Sequence, residues 1–278
     1  MRVQSLRLEI DEALQEDPHR RTGIFTTGVV AQAGPVRVAL FFTGERHAGE
    51  NLGQILQRRA DELSEPLVMC DALSRNQPAQ FATLLANCLV HGRRQFIEQI
   101  ENFPEPCRHV IQSLREVYRF DAQARQENLS DAQRLRFHQQ NSQPVMDQLK
   151  TWMSLQLDEK RVEPNSGLGK ALNYMLKRWD RLTRFLSVPG APLDNNIAER
   201  ALKMAILHRK NSMSYKTLNG ARIGDIHMSL IHTCALNAVN PFDYFMALHR
   251  HAQAAEKDPR QWFPWNYHLA LASPADSG

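Results

Sequence analysis

The chain has 278 residues, 42% of them hydrophobic and 23% charged, enough for one large globular domain or a domain with an appendage. No run approaches the roughly 20 apolar residues of a membrane helix, and the first residues hold no apolar signal core, so a cytoplasmic protein without a membrane partner is expected. Net charge is only +4, yet residues 199–222 set Arg200, Lys203, Arg209, Lys210, Lys216 and Arg222 against Glu199 alone; this local excess fits a polyanion partner, and it also fits a solvated helix face.

Val3, Leu6, Ile10, Ala13 and Leu14 recur at a loose helical spacing and predict a helix over 1–17, closed by Asp17-Pro18. Two runs rich in β-branched residues, 23–30 and 36–42, flank Gly34-Pro35 and predict a β-hairpin, strands 2 and 3 of a sheet that begins upstream. Leu52, Ile55, Leu56 and Ala60 line one side of a predicted helix over 48–63. The short apolar run 66–70 ends at Asp71 and reads as a buried strand with a carboxylate at its C-terminal end. A helix over 78–86 and a short strand over 87–91 are expected next.

From 92 to 186 the pattern is helical, with segments near 93–101, 106–125, 130–157 and 168–186. After a rigid Pro-rich loop, Asp194-Asn195-Asn196 opens a helix to about Leu207. The tail beyond Ile223 is helical again and ends in the aromatic run 262–267. The expected organisation is a first part of the core over 1–91, a helical insertion over 92–186, a core helix with the basic segment over 187–222 and a helical extension over 223–278. This order fits a three-layer α/β core with a helical insert.

Asp71 and Glu199, 128 positions apart, are the first candidates for chemistry. Carboxylates from a strand end and a facing helix can converge on Mg²⁺, which takes oxygen ligands and keeps waters for a phosphate substrate. Glu199 has a second reading: Asn196 as N-cap with Glu three residues later forms a capping box, which uses the same carboxylate differently. Cys70, Cys88, Cys107 and Cys234 form no C-x-x-C pair and read as reduced core thiols. On a strand, Cys88 and His91 would point to opposite faces, which reads as a buried thiol and a structural histidine. His227, His232, His249 and His251 lack zinc spacing.

Several segments, in order, resemble the insertion-sequence-66 transposases. Leu193-Asp194-Asn195-Asn196-Ile197-Ala198-Glu199-Arg200-Ala201-Leu202-Lys203 is similar to that family's D-N-N-x-x-E-R signature, followed by His208-Arg209-Lys210-Asn211-Ser212. Met69-Cys70-Asp71-Ala72 resembles the segment with the second catalytic Asp, and Cys88-Leu89-Val90-His91-Gly92-Arg93-Arg94-Gln95-Phe96 the C/W-x-x-H-x-R-R-x-F segment. Val162-Glu163-Pro164-Asn165-Ser166-Gly167-Leu168-Gly169-Lys170 and Trp265-Asn266-Tyr267 fit as well.

The resemblance implies an α/β fold with a ribonuclease H-like three-layer core, a long helical insertion, a helical C-terminal tail and a D-D-E triad binding Mg²⁺ or Mn²⁺. It makes Asp71 the second acid and Glu199 the third, with Arg200, Lys203, Arg209 and Lys210 on DNA. Asn196, Cys88, His91, Arg93 and Arg94 would support the site. The implied partners are transposon-end and target DNA, with self-association open. The family's first Asp falls ahead of Met1, so the first strand is read as missing; Asp11 and Asp17 precede the hairpin but lie in no apolar strand run. The expected function is therefore a fragment of a DNA transposase, inactive as it stands. The alternatives are a catalytically silent DNA-binding or interaction remnant of the same fold, and an unrelated Mg²⁺ nuclease.

Overall fold

Ahead of the hairpin Arg2–Leu8 forms a strand, which corrects the first part of the helix expected over 1–17; the rest of that span lies outside the described residues. In the computed structural model β1 (Arg2–Leu8) pairs antiparallel with β2 (Ile24–Ala33), Arg2 opposite Val30 and Leu8 opposite Ile24. The apolar spacing there was too loose to decide between periods, and pairing with β2 outweighs it. Residues 2–8, 23–60, 62–78, 80–212, 215 and 217–272 are described, without the side chains of 2–8 and 208–212. Asp11 and Asp17 lie outside these residues. A strand does precede the hairpin, and its sequence contains no Asp or Glu.

The remaining elements in chain order are β3 (Val36–Gly44), α1 (Ala48–Leu56), β4 (Leu67–Cys70), β5 (Leu84–Asn87), α2 (Leu89–Ile97), α3 (Pro104–Gln126), α4 (Asp131–Asp158), α5 (Gly167–Lys177), α6 (Trp179–Leu182), α7 (Asn196–Ser212), α8 (Leu218–Leu236), α9 (Pro241–Arg250), α10 (Ala252–Lys257) and α11 (Tyr267–Ala272). The chain is mixed α/β and divides into two units: Met1–Ser64, Leu73–Phe81 and Asn196–Gly278 form one, Glu65–Ala72 and Ala82–Asn195 the other. No helix among the described residues is long and apolar enough to cross a membrane.

In the first unit β2 and β3 form the expected hairpin, Ala33 opposite Val36. Gly34 takes φ +56°, the sign a II′ turn needs at its first central position, and the ring of Pro35 fixes a negative φ at the second. β3 leaves alternate amides facing away from β2, and α8 supplies their acceptors. The amides of Thr43, Phe41, Ala39 and Arg37 donate to side chains spaced four apart on the helix and its cap: Asp225, Ser229 (2.9 Å), Thr233 (3.0 Å) and Asn237 (3.3 Å). Asn237 Nδ2 donates back to the Arg37 carbonyl at 2.7 Å. Four helical residues rise about 6 Å and two strand residues about 6.7 Å, so the two repeats keep step over four rungs. α7 covers the hairpin differently: Ala198, Ala201 and Leu202 bury against Val30, Ala39 and Phe41.

In the second unit β4 and β5 run parallel, Leu67 opposite Leu84 and Cys70 opposite Asn87. Two expectations are corrected here. The segment 78–86 is not a helix: a 3-10 turn over Ser74–Asn76 and a loop lead to β5. The strand expected over 87–91 ends at Asn87, and Leu89 begins α2. Leu84, Leu85 and Ala86 are good helix formers, and the parallel pairing overrides that propensity. α3, α4 and α5 follow the expected helices, although the last breaks after Lys177. Leu89, Phe96, Val110, Leu114, Met153 and Met175 fill the helical core. Gly92 admits a close crossing there, since a Cβ would stand 2.4 Å from Met175 Sδ.

Asp121 is the one charged group buried in that helical body among the described residues. It pairs with Arg125 and Arg134 and meets His138 Nε2 at 3.3 Å, while His138 Nδ1 meets Ser142 Oγ at 2.9 Å. Burial alone would raise its carboxyl; the His138 bond and the two guanidinium groups outweigh it and hold the group down to about 2.

Three outcomes follow. Thr233→Val keeps the side-chain shape and removes a rung, so urea unfolding should show a loss of about 1–3 kcal/mol; an unchanged midpoint contradicts the ladder. Burial pushes the Asp225 carboxyl up, against the bonds from Thr43, so the folded state holds its proton more tightly than the unfolded chain. The contribution of Asp225 to stability therefore falls as pH rises through that raised value, and Asp225→Asn should remove this part of a melting-versus-pH curve. For Asp121 the sign reverses: its contribution is present above the ordinary carboxylate range and is lost as pH drops toward about 2. Asp121→Asn should cost somewhat less than the roughly 3–5 kcal/mol of a fully buried broken pair, because the Arg125 side chain is 61% exposed.

Candidate functional site

The C-terminal edge of the β4–β5 pair is where the second unit gathers its reactive side chains. The Cys88 amide donates to the Cys70 carbonyl at 3.2 Å, so Asp71 and Cys88 leave adjacent parallel strands at the same end. Crevices beyond the carboxyl ends of parallel strands are common ligand sites. Asp71 is half-buried. Burial first, and then the Asp71 charge, push the Cys70 thiol up to about 12, with Arg181 opposing. Tyr174 is raised by burial, with Asp71, Cys88 and Cys70 adding and Arg178 opposing. The Asp71 carboxylate thus acts on a thiol and a phenol, each of which an arginine opposes.

Asn87, the last residue of β5, is buried. Its Nδ2 donates to the Ala86 carbonyl at 3.4 Å, while its buried Oδ1 has no hydrogen-bond partner among the described residues. Asn87 belongs to none of the motifs read from the sequence, and only the parallel register brings it to the strand end that Asp71 follows. Tyr174 and Arg181, from α5 and α6, also belong to no motif read from the sequence.

Cys88 precedes α2 but does not cap it with its side chain. Its buried Sγ instead accepts from the Asn195 amide at 3.4 Å, and the Leu89 amide donates to the Leu193 carbonyl at 3.0 Å. The segment 193–195 is thereby held on the β5–α2 junction. The His91 amide donates to the Cys88 carbonyl at 3.2 Å, in the first turn of α2. This corrects the opposite-face expectation for Cys88 and His91, because residues three apart at a helix start share a side. Arg93 is half-buried and Arg94 exposed. Tyr118 is raised by burial, then by Asp194, Cys88 and Asp121, with Arg93 opposing.

The other predicted residues stand on α7 in the first unit. Asn196 is its first helical residue and Glu199 lies in its first turn. Glu199 is half-buried, whereas Arg200 and Lys203 are exposed, on a helix whose Ala198, Ala201 and Leu202 face the hairpin. Arg200 Nε donates to the Asn196 carbonyl at 3.3 Å. Arg209 and Lys210 belong to the end of α7, and their side chains lie outside the described residues.

The sequence profile described as "Transposase IS66 family" matches residues 22–223, and the chain belongs to that family. An uncharacterized protein, y4jD, of Sinorhizobium fredii (strain NBRC 101917 / NGR234) is 32% identical over 188 residues, 66% of this chain and 36% of that protein. From the same strain, y4qI is 30% identical over 189 residues (66% and 34%). Also from that strain, y4hP is 28% identical over 256 residues (84% and 45%). The chain spans less than half the length of each.

The thiols make a direct check of this geometry. All four cysteines are buried, and Cys70 carries a thiol pushed up to about 12. The native protein at mildly alkaline pH should therefore show no rapid reaction with a thiol-exchange reagent, and four equivalents should react after denaturation. A fast native burst would place a cysteine in solvent.

Proposed function

We propose that this chain carries the catalytic region of a DNA transposase with a ribonuclease H-like core, in which Asp71 and Glu199 are the carboxylates that hold Mg²⁺ or Mn²⁺. The observation that supports it most is the C-terminal edge of the β4–β5 pair, where Asp71 leaves its strand beside Asn87 and Cys88. The donor chemistry fits a hard cation: the Asp71 carboxylate lies one register position beyond the buried Asn87 amide oxygen, which lacks a partner among the described residues. Bound there, a divalent cation supplies positive charge for the attacking and leaving oxygens of a phosphodiester.

The protein's own groups do the rest. Arg200 and Lys203, exposed on α7, hold DNA phosphates, contacts that position the duplex without reading its sequence. Arg209 and Lys210 extend that role in the sequence. The thiol of Cys88 holds the segment that ends at Asn195 by accepting from its amide. On this reading the full-length protein hydrolyses a phosphodiester at a transposon end and joins the freed 3′-hydroxyl to target DNA. One observation favours the second reading, a catalytically silent DNA-binding remnant: the strand ahead of the hairpin contains no carboxylate.

The 278-residue chain, short against its relatives, is expected to lack strand-transfer activity with either metal, because the strand ahead of the hairpin carries no carboxylate. Robust joining by the short chain, abolished by Glu199→Gln, would overturn the assignment of the first acid. DNA binding should weaken steeply with salt, and Arg200→Ala with Lys203→Ala should lower the salt slope by roughly 0.9 per lost phosphate contact. An unchanged slope would return those cations to simple solvation.

A further inference from the structure

A second concavity lies wholly within the first unit, along the flank of α1. Two glycines shape it. A Cβ on Gly49 would stand 2.3 Å from the Gln77 carbonyl oxygen, so the backbone of the 75–77 segment lies directly on the helix. One turn on, the Phe81 ring rests over Gly53, with its nearest carbon 3.4 Å from where a Cβ would be. The cleft they leave measures about 420 Å³, within the usual range for a small-ligand site.

Its walls are chemically mixed in a particular way. Arg46 and Arg75 are exposed and line it, as do the amide side chains of Gln54 and Gln57 and the half-buried ring of Phe81. The one acid in the lining, Glu50, accepts from the His47 amide at 2.7 Å and is thereby engaged at the start of α1. The cleft is therefore net basic, carries neutral donors and acceptors, and offers an aromatic surface.

We propose that this cleft binds one unpaired nucleotide of single-stranded DNA. Arg46 and Arg75 take the phosphate, the base stacks on Phe81, and the glutamine amides meet the base edge. Each part matches a recurring device for holding single strands, a basic groove with an aromatic platform. A free anion would use the arginines and leave Phe81 idle. A paired base would keep its faces inside the duplex stack, out of reach of a cleft wall. The proposal rests on the DNA reading above and goes beyond it, because the cleft shares no residue with the site that carries Asp71 and Glu199.

The test uses the full chain and two fluorescein-labelled probes at matched ionic strength: an oligothymidylate of roughly 12 nucleotides, the scale of known site sizes, and a mixed-sequence duplex of equal length. Phe81→Leu keeps apolar volume and loses the ring; Phe81→Tyr keeps the ring. The leucine variant should bind the single strand roughly fivefold or more weakly, within the span of stacking losses per base, with duplex binding unchanged and the tyrosine variant near the parent. Should Phe81→Leu fail to fold, the exposed Arg75→Ala carries the same expectation. Unchanged single-strand affinity in Phe81→Leu and Arg75→Ala, with duplex binding intact, overturns the cleft and leaves the DNA reading standing. Equal loss on both probes also overturns it, since the cleft would then be part of a duplex surface. Binding of neither probe by the parent chain overturns both readings.

Discussion

The candidate site depends on four residues of parallel pairing, Leu67–Cys70 against Leu84–Asn87. Parallel register sends both strands out at the same edge, so Asp71, Asn87 and Cys88 gather there although the first two are sixteen positions apart in sequence. Val68, Met69 and Cys70 are all buried, so β4 is covered on both faces, as parallel strands usually are. The strand pair is short, and the helical body behind it supplies the stability: Leu67 packs on the same core as Leu89, Leu172 and Leu193. Arg184 adds a direct tie, Nε donating to the Leu85 carbonyl at 3.1 Å. The buried Sγ of Cys88 then serves as a structural acceptor for the Asn195 amide.

The first unit solves a different problem. Its hairpin ends in an edge strand whose outward amides would invite pairing with another chain. α8 closes that edge with polar side chains at every fourth position, and His232 adds a stack on Phe41 and a bond to the Ala201 carbonyl at 3.2 Å. Burial lowers the His232 pKa, with that bond opposing, which favours the neutral ring against Phe41. The hairpin so fixed is the surface on which α7 lies, and it orients Arg200 and Lys203 outward.

Much of this was legible in the sequence where one signal dominated. The β-branched runs around Gly34-Pro35 gave the hairpin, the 66–70 apolar run gave β4 with Asp71 at its end, and long apolar periods gave α3 and α4. Reading failed where tertiary pairing outweighs local preference. Val3 and Leu6 suit either period, and β2 decides for a strand; Leu84-Leu85-Ala86 favours helix until β4 pairs with it. The α8 ladder was invisible because Asp225, Ser229, Thr233 and Asn237 look like an ordinary polar stripe until an edge strand is set against them. At the site, the family motifs drew attention to Cys88 and His91, yet the role of Cys88 follows from Asn195, 107 residues later, and Asn87 belonged to no motif.

The central claim is that Asp71 and Glu199 serve one divalent cation. Mn²⁺ binding, followed by calorimetry or by electron paramagnetic resonance of the free ion, tests it on the parent chain, Asp71→Asn, Glu199→Gln and the double variant. If the two carboxylates share the cation, each single change weakens binding by tenfold or more, and the double change weakens it by much less than the product of the two. Losses that simply multiply, or Mn²⁺ affinity unchanged by Asp71→Asn, would contradict the account.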